Sequence, residues 1–253
     1  MRNNYRRRNE RSTSPFYDLR PLVPLLLTSF MLTGCRPSPP PTSVPTPNRT
    51  ATVEPTLSGA AEPAVDNIWH SMFDGKTLDG WSITNFGGEG EVYVEDGHIV
   101  MDFGAYMTGI TYQGDLPTLD YEVRWEAQRD EGNDFFCGFT FPVNDAHCSL
   151  IAGGWGGGVV GMSSINGMDA SENETTTYMT FENDQWYRFH VKVSEAKIEA
   201  WIDDEQLVDV ELADREWSTR PEVERSKPCG FATWDTRGAV RNIEFRKLVG
   251  GEG

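Results

Sequence analysis

The sequence predicts an all-β fold, an antiparallel two-sheet β-sandwich or jelly roll, over residues 65–250 of a 253-residue chain. Three observations lead there. Apolar and polar residues alternate with a period of two along most of the body, as strands with one face in a core and one in solvent require. More than ten such short runs are separated by turn residues, and that many strands pack as two sheets. Twenty-five Gly, eight Trp, eight Tyr and thirteen Phe accompany few helix-type apolar stripes, a composition suited to strands and turns.

In chain order, short strands are expected at 91–95, 98–103 and 107–113. Asp120-Tyr121-Glu122-Val123-Arg124-Trp125-Glu126-Ala127 sets Tyr, Val and Trp on one side and Glu, Arg and Glu on the other. Runs at 134–141 and 147–152 flank the turn Pro142-Val143-Asn144-Asp145-Ala146. Strands at 157–163 and 186–193 follow, then a hairpin, 198–203 and 206–210, over Asp203-Asp204-Glu205. The last strands fall at 229–234 and 240–248. No internal repeat is visible, and no helix beyond a turn or two is expected.

The first 64 residues read as targeting segment and tether. Arg6-Arg7-Arg8, Arg11 and Arg20 precede an apolar stretch from 22 to 32, far short of the ~20 residues that span a bilayer. A basic region, a short apolar region and small residues at a cut site define a secretory signal, here residues 1–34. The site reads Leu32-Thr33-Gly34-Cys35 and resembles the bacterial lipobox, whose Cys is acylated; the alternative is a plain signal peptide with an incidental Cys. Lipidation of Cys35 would make the chain an exported lipoprotein that meets membrane only through its anchor. Arg36 after the Cys resembles the pattern that sorts lipoproteins to the outer membrane, facing the periplasm. Residues 35–64, opening Cys35-Arg36-Pro37-Ser38-Pro39-Pro40-Pro41, are rich in Pro, Thr and Ser. They lack the apolar content to offset the entropy of ordering and read as a disordered spacer.

Net charge is −17. The segment before Cys35 carries +4, which leaves −21 on the rest. Such a body repels phosphate backbones, so nucleic acid is excluded as a partner. Three cysteines remain beyond Cys35. Cys137 and Cys148 lie on the two runs, 134–141 and 147–152, of one hairpin, and a disulfide between them is expected if they face each other across it. Two buried free thiols are the equal alternative. No Cys-x-x-Cys pair points to structural zinc.

The segment Met72-Phe73-Asp74-Gly75-Lys76-Thr77-Leu78-Asp79-Gly80-Trp81 resembles the opening signature of the 3-keto-disaccharide hydrolase domain family. Val94-Glu95-Asp96-Gly97-His98-Ile99, Asp184-Gln185-Trp186-Tyr187, Trp201-Ile202-Asp203-Asp204-Glu205 and Val240-Arg241-Asn242-Ile243 resemble later family segments, in order, over residues 69–248. The resemblance implies a concanavalin-like jelly roll, a carbohydrate ligand and cleavage of glycosidic bonds in 3-keto-glycosides. Read from the residues alone, Asp74-Gly75 is a tight turn, Trp81 a core anchor and Asn242 a tie to a neighbouring loop. The family's central Arg and Glu/Gln/Asp set has no counterpart between Asn133 and Gly158, so no catalytic residue carries over by position.

Cleaving a 3-keto-glycoside needs a base for the proton next to the ketone, charge stabilisation at the ketone oxygen, and in some routes a divalent cation. The candidate catalytic residues are His147, Asp134 and Asp235, with Asp169 nearby in sequence. His147 is the candidate base; Asp134 and Asp145 are candidate partners or metal ligands. The bland reading makes Asp145 a turn residue and His147 a solvated strand start. His190 is expected to be packed, and His70 and His98 structural. Trp155, inside Gly153-Gly154-Trp155-Gly156-Gly157-Gly158, is either a sugar platform or a packed loop anchor. Trp234, beside Asp235, is a second substrate-binding candidate, with Asp145 a third. Two functions stand side by side: a glycoside-cleaving enzyme, and a non-catalytic carbohydrate-binding or adhesion module.

Overall fold

The computed structural model describes residues 64–65 and 68–249. The candidate signal segment, Cys35 and the tether lie outside the described residues. Among the described residues no helix is long and apolar enough to cross a membrane.

The strands are β1 (Ala64–Val65), β2 (His70–Ser71), β3 (Trp81–Ile83), β4 (Val92–Glu95), β5 (His98–Met101), β6 (Met107–Tyr112), β7 (Tyr121–Gly132), β8 (Cys137–Val143) and β9 (Ala146–Gly153). A single turn, α1 (Gly154–Gly157), leads to β10 (Val159–Ser163) and β11 (Thr177–Tyr178). Then come β12 (Tyr187–Val193), β13 (Lys197–Ile202), β14 (Glu205–Glu211), a 3-10 helix (Pro221–Ser226), β15 (Gly230–Trp234) and β16 (Thr236–Val249).

They form two antiparallel sheets. One has nine strands in the order β14-β13-β12-β7-β16-β5-β4, with β1 and β2 also on β16; the other has seven, β11-β10-β9-β8-β15-β6-β3. This is the expected two-sheet jelly roll. Alternation decides what lies between the sheets: Tyr121, Val123, Trp125 and Ala127 of β7 and Cys137, Phe139 and Phe141 of β8 are all buried in one core. Trp125 stacks on Phe189 at 5.2 Å and meets Phe139 at 4.5 Å, so rings from both sheets hold the layers together.

The family-like segments do structural work here. Asp74 accepts hydrogen bonds from the backbone N–H of Lys76 and Thr77, both at 2.8 Å. Trp81 is buried and its Nε1 donates to the Met72 carbonyl at 2.7 Å. Asn242 takes a left-handed φ of 52° where the β16 register shifts, and its Nδ2 donates to Glu126 Oε1 at 3.0 Å.

The β8–β9 hairpin departs from expectation. Its turn is the two residues Asn144-Asp145, because Val143 pairs with Ala146. Cys137 therefore lies opposite Ala152 and Cys148 opposite Phe141. Four residues of offset is about 13 Å along a ladder, beyond the ~7 Å Cα limit for a bridge. The disulfide is not formed: Cys137, Cys148 and Cys229 are buried free thiols. Burial pushes the thiols of Cys137 and Cys148 up to about 12. β8 also begins later than expected, at Cys137 rather than 134. β7 and β16 run longer than expected because Gly132 pairs with Thr236 at their shared end.

Candidate ligand cleft

The site lies on the outer face of the seven-stranded sheet. With Cys148, Leu150 and Ala152 turned into the core, alternation turns His147, Ser149 and Ile151 outward. The same rule puts Gly138 and Thr140 of β8, Gly161 and Ser163 of β10 and Ala232 of β15 on that face. Small residues there let two covers approach. A Cβ at Gly138 would sit 3.1 Å from the Phe135 ring, and one at Gly230 only 2.8 Å from the Ser226 carbonyl oxygen. Phe135 thus folds over the sheet from the segment before β8, and the 3-10 helix lies over β6 and β15. Pro221 at the helix start suits a position whose N–H has no intrahelical partner.

Between these covers is a cleft of about 230 Å³. Its polar floor is Ser149 and Ser163; Asp134, Arg220 and Glu222 stand at its sides; Trp155, Trp234 and Phe135 supply aromatic walls. Ser149 Oγ and Thr140 Oγ1 share a hydrogen bond at 2.8 Å. Ser163 is 1% exposed and its Oγ has no partner. A buried hydroxyl left unpaired costs about 1–3 kcal/mol, and Ser163 is among the residues that line the cleft.

Asp134 is fixed by its neighbours. Its N–H donates to Thr236 Oγ1 at 3.1 Å, and its Oδ1 accepts from the Phe135 N–H at 2.8 Å. Oδ2 has no protein partner among the described residues. Arg220 donates to Asp169 and, at 3.0 Å, to Glu222. The Arg220 hydrogen bond holds the Glu222 carboxyl below its ordinary range, and Arg220 is held charged in return. Glu222 is therefore an anion at neutral pH.

Trp155 sits in α1 at φ 50°, ψ 50°, with 45% of its surface exposed. A left-handed conformation costs a non-glycine residue about 1–2 kcal/mol. A bulky residue held there, at the mouth of a cleft, is a strained position of the kind that clusters at binding sites.

Of the residues singled out from sequence, Asp134, Trp155 and Trp234 line this one cleft. Asp145 is exposed in the hairpin turn. Six strand steps separate the ends of β8, about 20 Å, so Asp145 and Asp134 do not meet. His147 pairs with Pro142 near the turn and stays away from Asp134 for the same reason. Burial lowers its pKa, with Lys227 adding to that and Glu224 opposing it. Asp235 is exposed at the β15–β16 corner and is not among the cleft residues. Among the described residues no three His, Cys, Asp or Glu side chains gather as a metal cage. The separated Asp134 and Asp145 thus do not fit the expected divalent cation. Ser149, Ser163, Arg220 and Glu222 escaped the sequence reading. The serines sit on ordinary strands, and Arg220-Pro221-Glu222 carries no motif.

Fold and cleft together define a jelly-roll domain with a small, partly apolar hollow on the outer face of one sheet. A family model described as the 3-keto-alpha-glucoside-1,2-lyase-like domain matches residues 68–247. The chain belongs to that family. No curated protein matches it. Among solved structures, a candidate glycosyl hydrolase from Parabacteroides distasonis ATCC 8503 is 15% identical with a TM-score of 0.46, covering 71% of this chain and 94% of that one. The carbohydrate-binding module CBM66 from Bacillus subtilis gives 11% and 0.43, covering 66% and 96%. Domain 4 of AbnA, a GH43 extracellular arabinanase from Geobacillus stearothermophilus in complex with arabinotriose, gives 12% and 0.47, covering 75% and 95%. Each is a distant likeness.

Proposed function

We propose that the cleft binds the oxidised ring of a 3-keto-glycoside and cleaves its glycosidic bond by elimination, with Asp134 as the base. The observation that carries this reading is the pairing, in one small cleft, of a carboxylate oxygen without a partner and a buried hydroxyl without a partner. The ketone acidifies the hydrogen on the adjacent C2. Asp134 Oδ2 takes that proton, and the electron pair moves toward the ketone oxygen as an enolate. Ser163, with Ser149 beside it, donates to that oxygen, the role of preorganised donors aimed at developing charge. The enolate then collapses to a C1–C2 double bond and expels the C1 oxygen, which gains a proton from water. Addition of water to the double bond completes a net hydrolysis. Trp155 and Trp234 hold the apolar ring faces. Family membership supports the substrate class.

A second reading is a binding module using the same cleft. It is favoured by Arg220 and Glu222, which satisfy each other and leave no evident general acid. The test is incubation of the purified chain with 3-keto-glucosides, with and without EDTA, following enone absorbance and released alcohol. Release that Asp134→Asn abolishes supports the elimination. Binding without turnover under every metal condition supports the module.

The signal-like segment and Leu32-Thr33-Gly34-Cys35 support an exported, lipid-anchored setting. Mass spectrometry of the mature N-terminus tests it: an acylated Cys35 is expected.

A further inference from the structure

The charges at the cleft do not balance. Asp134 and Glu222 line it, and among the described residues Arg220 is the only Lys or Arg that does. Arg220 pairs with Glu222 at 3.0 Å and with a third carboxylate, Asp169. Asp169 also accepts from Ser164 Oγ at 3.2 Å. Three carboxylates thus share one guanidinium, and two negative charges are left over. The surplus is uneven. Asp169 and Glu222 are held by Arg220, whereas the Asp134 side chain meets only the N–H of its chain neighbour Phe135. The oxygen without compensation is Asp134 Oδ2.

The other walls suit the same kind of ligand. Trp155, Trp234 and Phe135 line the cleft, and the face of an aromatic ring attracts a cation through its quadrupole. Ser163 Oγ, 1% exposed and without a partner, accepts a hydrogen bond as readily as it donates one. This hydroxyl is an observation separate from the carboxylates, and it too asks for a ligand. A volume of about 230 Å³ lies below the ~300 Å³ at which pockets for drug-sized molecules begin, so the ligand is of single-ring size. At longer range the net charge of −17 draws cations and repels anions. We infer that the cleft takes amino sugars: a hexosamine ring between the aromatic walls, with its ammonium on Asp134 Oδ2 and a hydroxyl on Ser163. The sugar half of this inference rests on the function proposed above, and the ammonium half on the charge count. Bound in this way, the ligand occupies the oxygen that acts as base in elimination. A free amino sugar is then a competitor of the 3-keto-glycoside and is not itself cleaved, while a uronate is repelled.

Glucosamine, N-acetylglucosamine, glucose, glucuronate and cyclohexylamine are titrated into the full-length chain in mildly acidic buffer, where the amines are charged, with calorimetry and tryptophan fluorescence as readouts. Glucosamine should bind about ten-fold more tightly than glucose and N-acetylglucosamine, the usual gain of a charged hydrogen bond over a neutral one. Glucuronate should bind most weakly. Asp134→Asn should erase the preference, and Glu205→Gln, which removes an exposed acid on β14, should keep it. Glucosamine binding no tighter than glucose overturns the inference. A preference that survives Asp134→Asn overturns it as well, since the attraction would then belong to the charge of the whole chain. Cyclohexylamine binding as tightly as glucosamine overturns the sugar half. In assays of 3-keto-glucoside turnover, glucosamine should raise KM and leave kcat unchanged; a lowered kcat at constant KM would put it at another site and overturn the inference. If the wild type turns over no 3-keto-glucoside, the elimination reading fails by itself, and the titrations still decide the amino-sugar site.

Discussion

On the outer face of the nine-stranded sheet, Glu122 accepts from Arg246 at 2.7 Å and lies 3.3 Å from His190. Glu126 holds Arg241, Arg124 holds Glu244, and Glu199 holds both Lys192 and Lys197. Arg124 and Arg246 also lie over the Trp69 ring, at 4.1 and 4.5 Å from its centre. The outer face of the seven-stranded sheet is the reverse: few charges, small side chains, a lone hydroxyl and rings at the rim. Both faces are polar and both have hollows, but on the first the charges are paired with one another, while in the cleft of the second a buried hydroxyl has no partner. Cavity size alone would mislead. The hollow beside Trp69, at about 730 Å³, is larger than the cleft, but its charged groups are already engaged with each other.

The contrast gives four predictions, from the largest expected effect to the smallest. Asp134→Asn should lower kcat on a 3-keto-glucoside by about 10³-fold with an unchanged circular-dichroism spectrum. A similar loss from Glu122→Gln, on the other face, would erase the distinction. Trp155→Ala should raise KM or Kd about ten-fold and leave Tm in place, since a ring this exposed contributes little to the core.

Glu122→Gln should destabilise by about 2 kcal/mol in denaturant titration, below the cost of breaking a fully buried pair because Arg246 and His190 retain solvent. Activity should persist. Burial pushes the Glu122 carboxyl up, but hydrogen bonds with His190 and Arg246 outweigh it and the net shift is downward. The stabilisation is therefore complete above the ordinary value of 4.5 and fades as pH falls below it. The gap between wild type and variant should narrow over that acid range. A gap that widens on acidification would reverse the assignment. Last, dithiothreitol should leave Tm unchanged, whereas reduction of a native disulfide would cost about 2–5 kcal/mol.

What could be read in advance follows from how local each signal is. Alternation in 120–127 and 240–248 announces strands because burial of one face is written in consecutive residues. Asp74, Trp81 and Asn242 announce their structural roles because turns and anchors are short-range. Opposition of Cys137 and Cys148 fails on counting: even a five-residue turn over Pro142-Val143-Asn144-Asp145-Ala146 sets Cys137 opposite Ile151, and the two-residue turn sets it opposite Ala152. His147 and Cys148 both sit at the turn end of the hairpin, the length of β8 away from Asp134 and Cys137. The cleft was half legible. Aromatic residues among glycines stand out, as Trp155 does. Ser163 matters only because nothing else reaches its hydroxyl, and Arg220 meets Asp169 across 51 residues of chain. Such facts belong to the folded molecule.

The floor of the cleft is built from two minimal side chains, Ser149 and Ser163. Its depth is thus a matter of single methyl groups. Descendants of this domain could reshape or lose the cleft by one-step changes at Ser149 of β9 or Ser163 of β10 without touching the sandwich beneath.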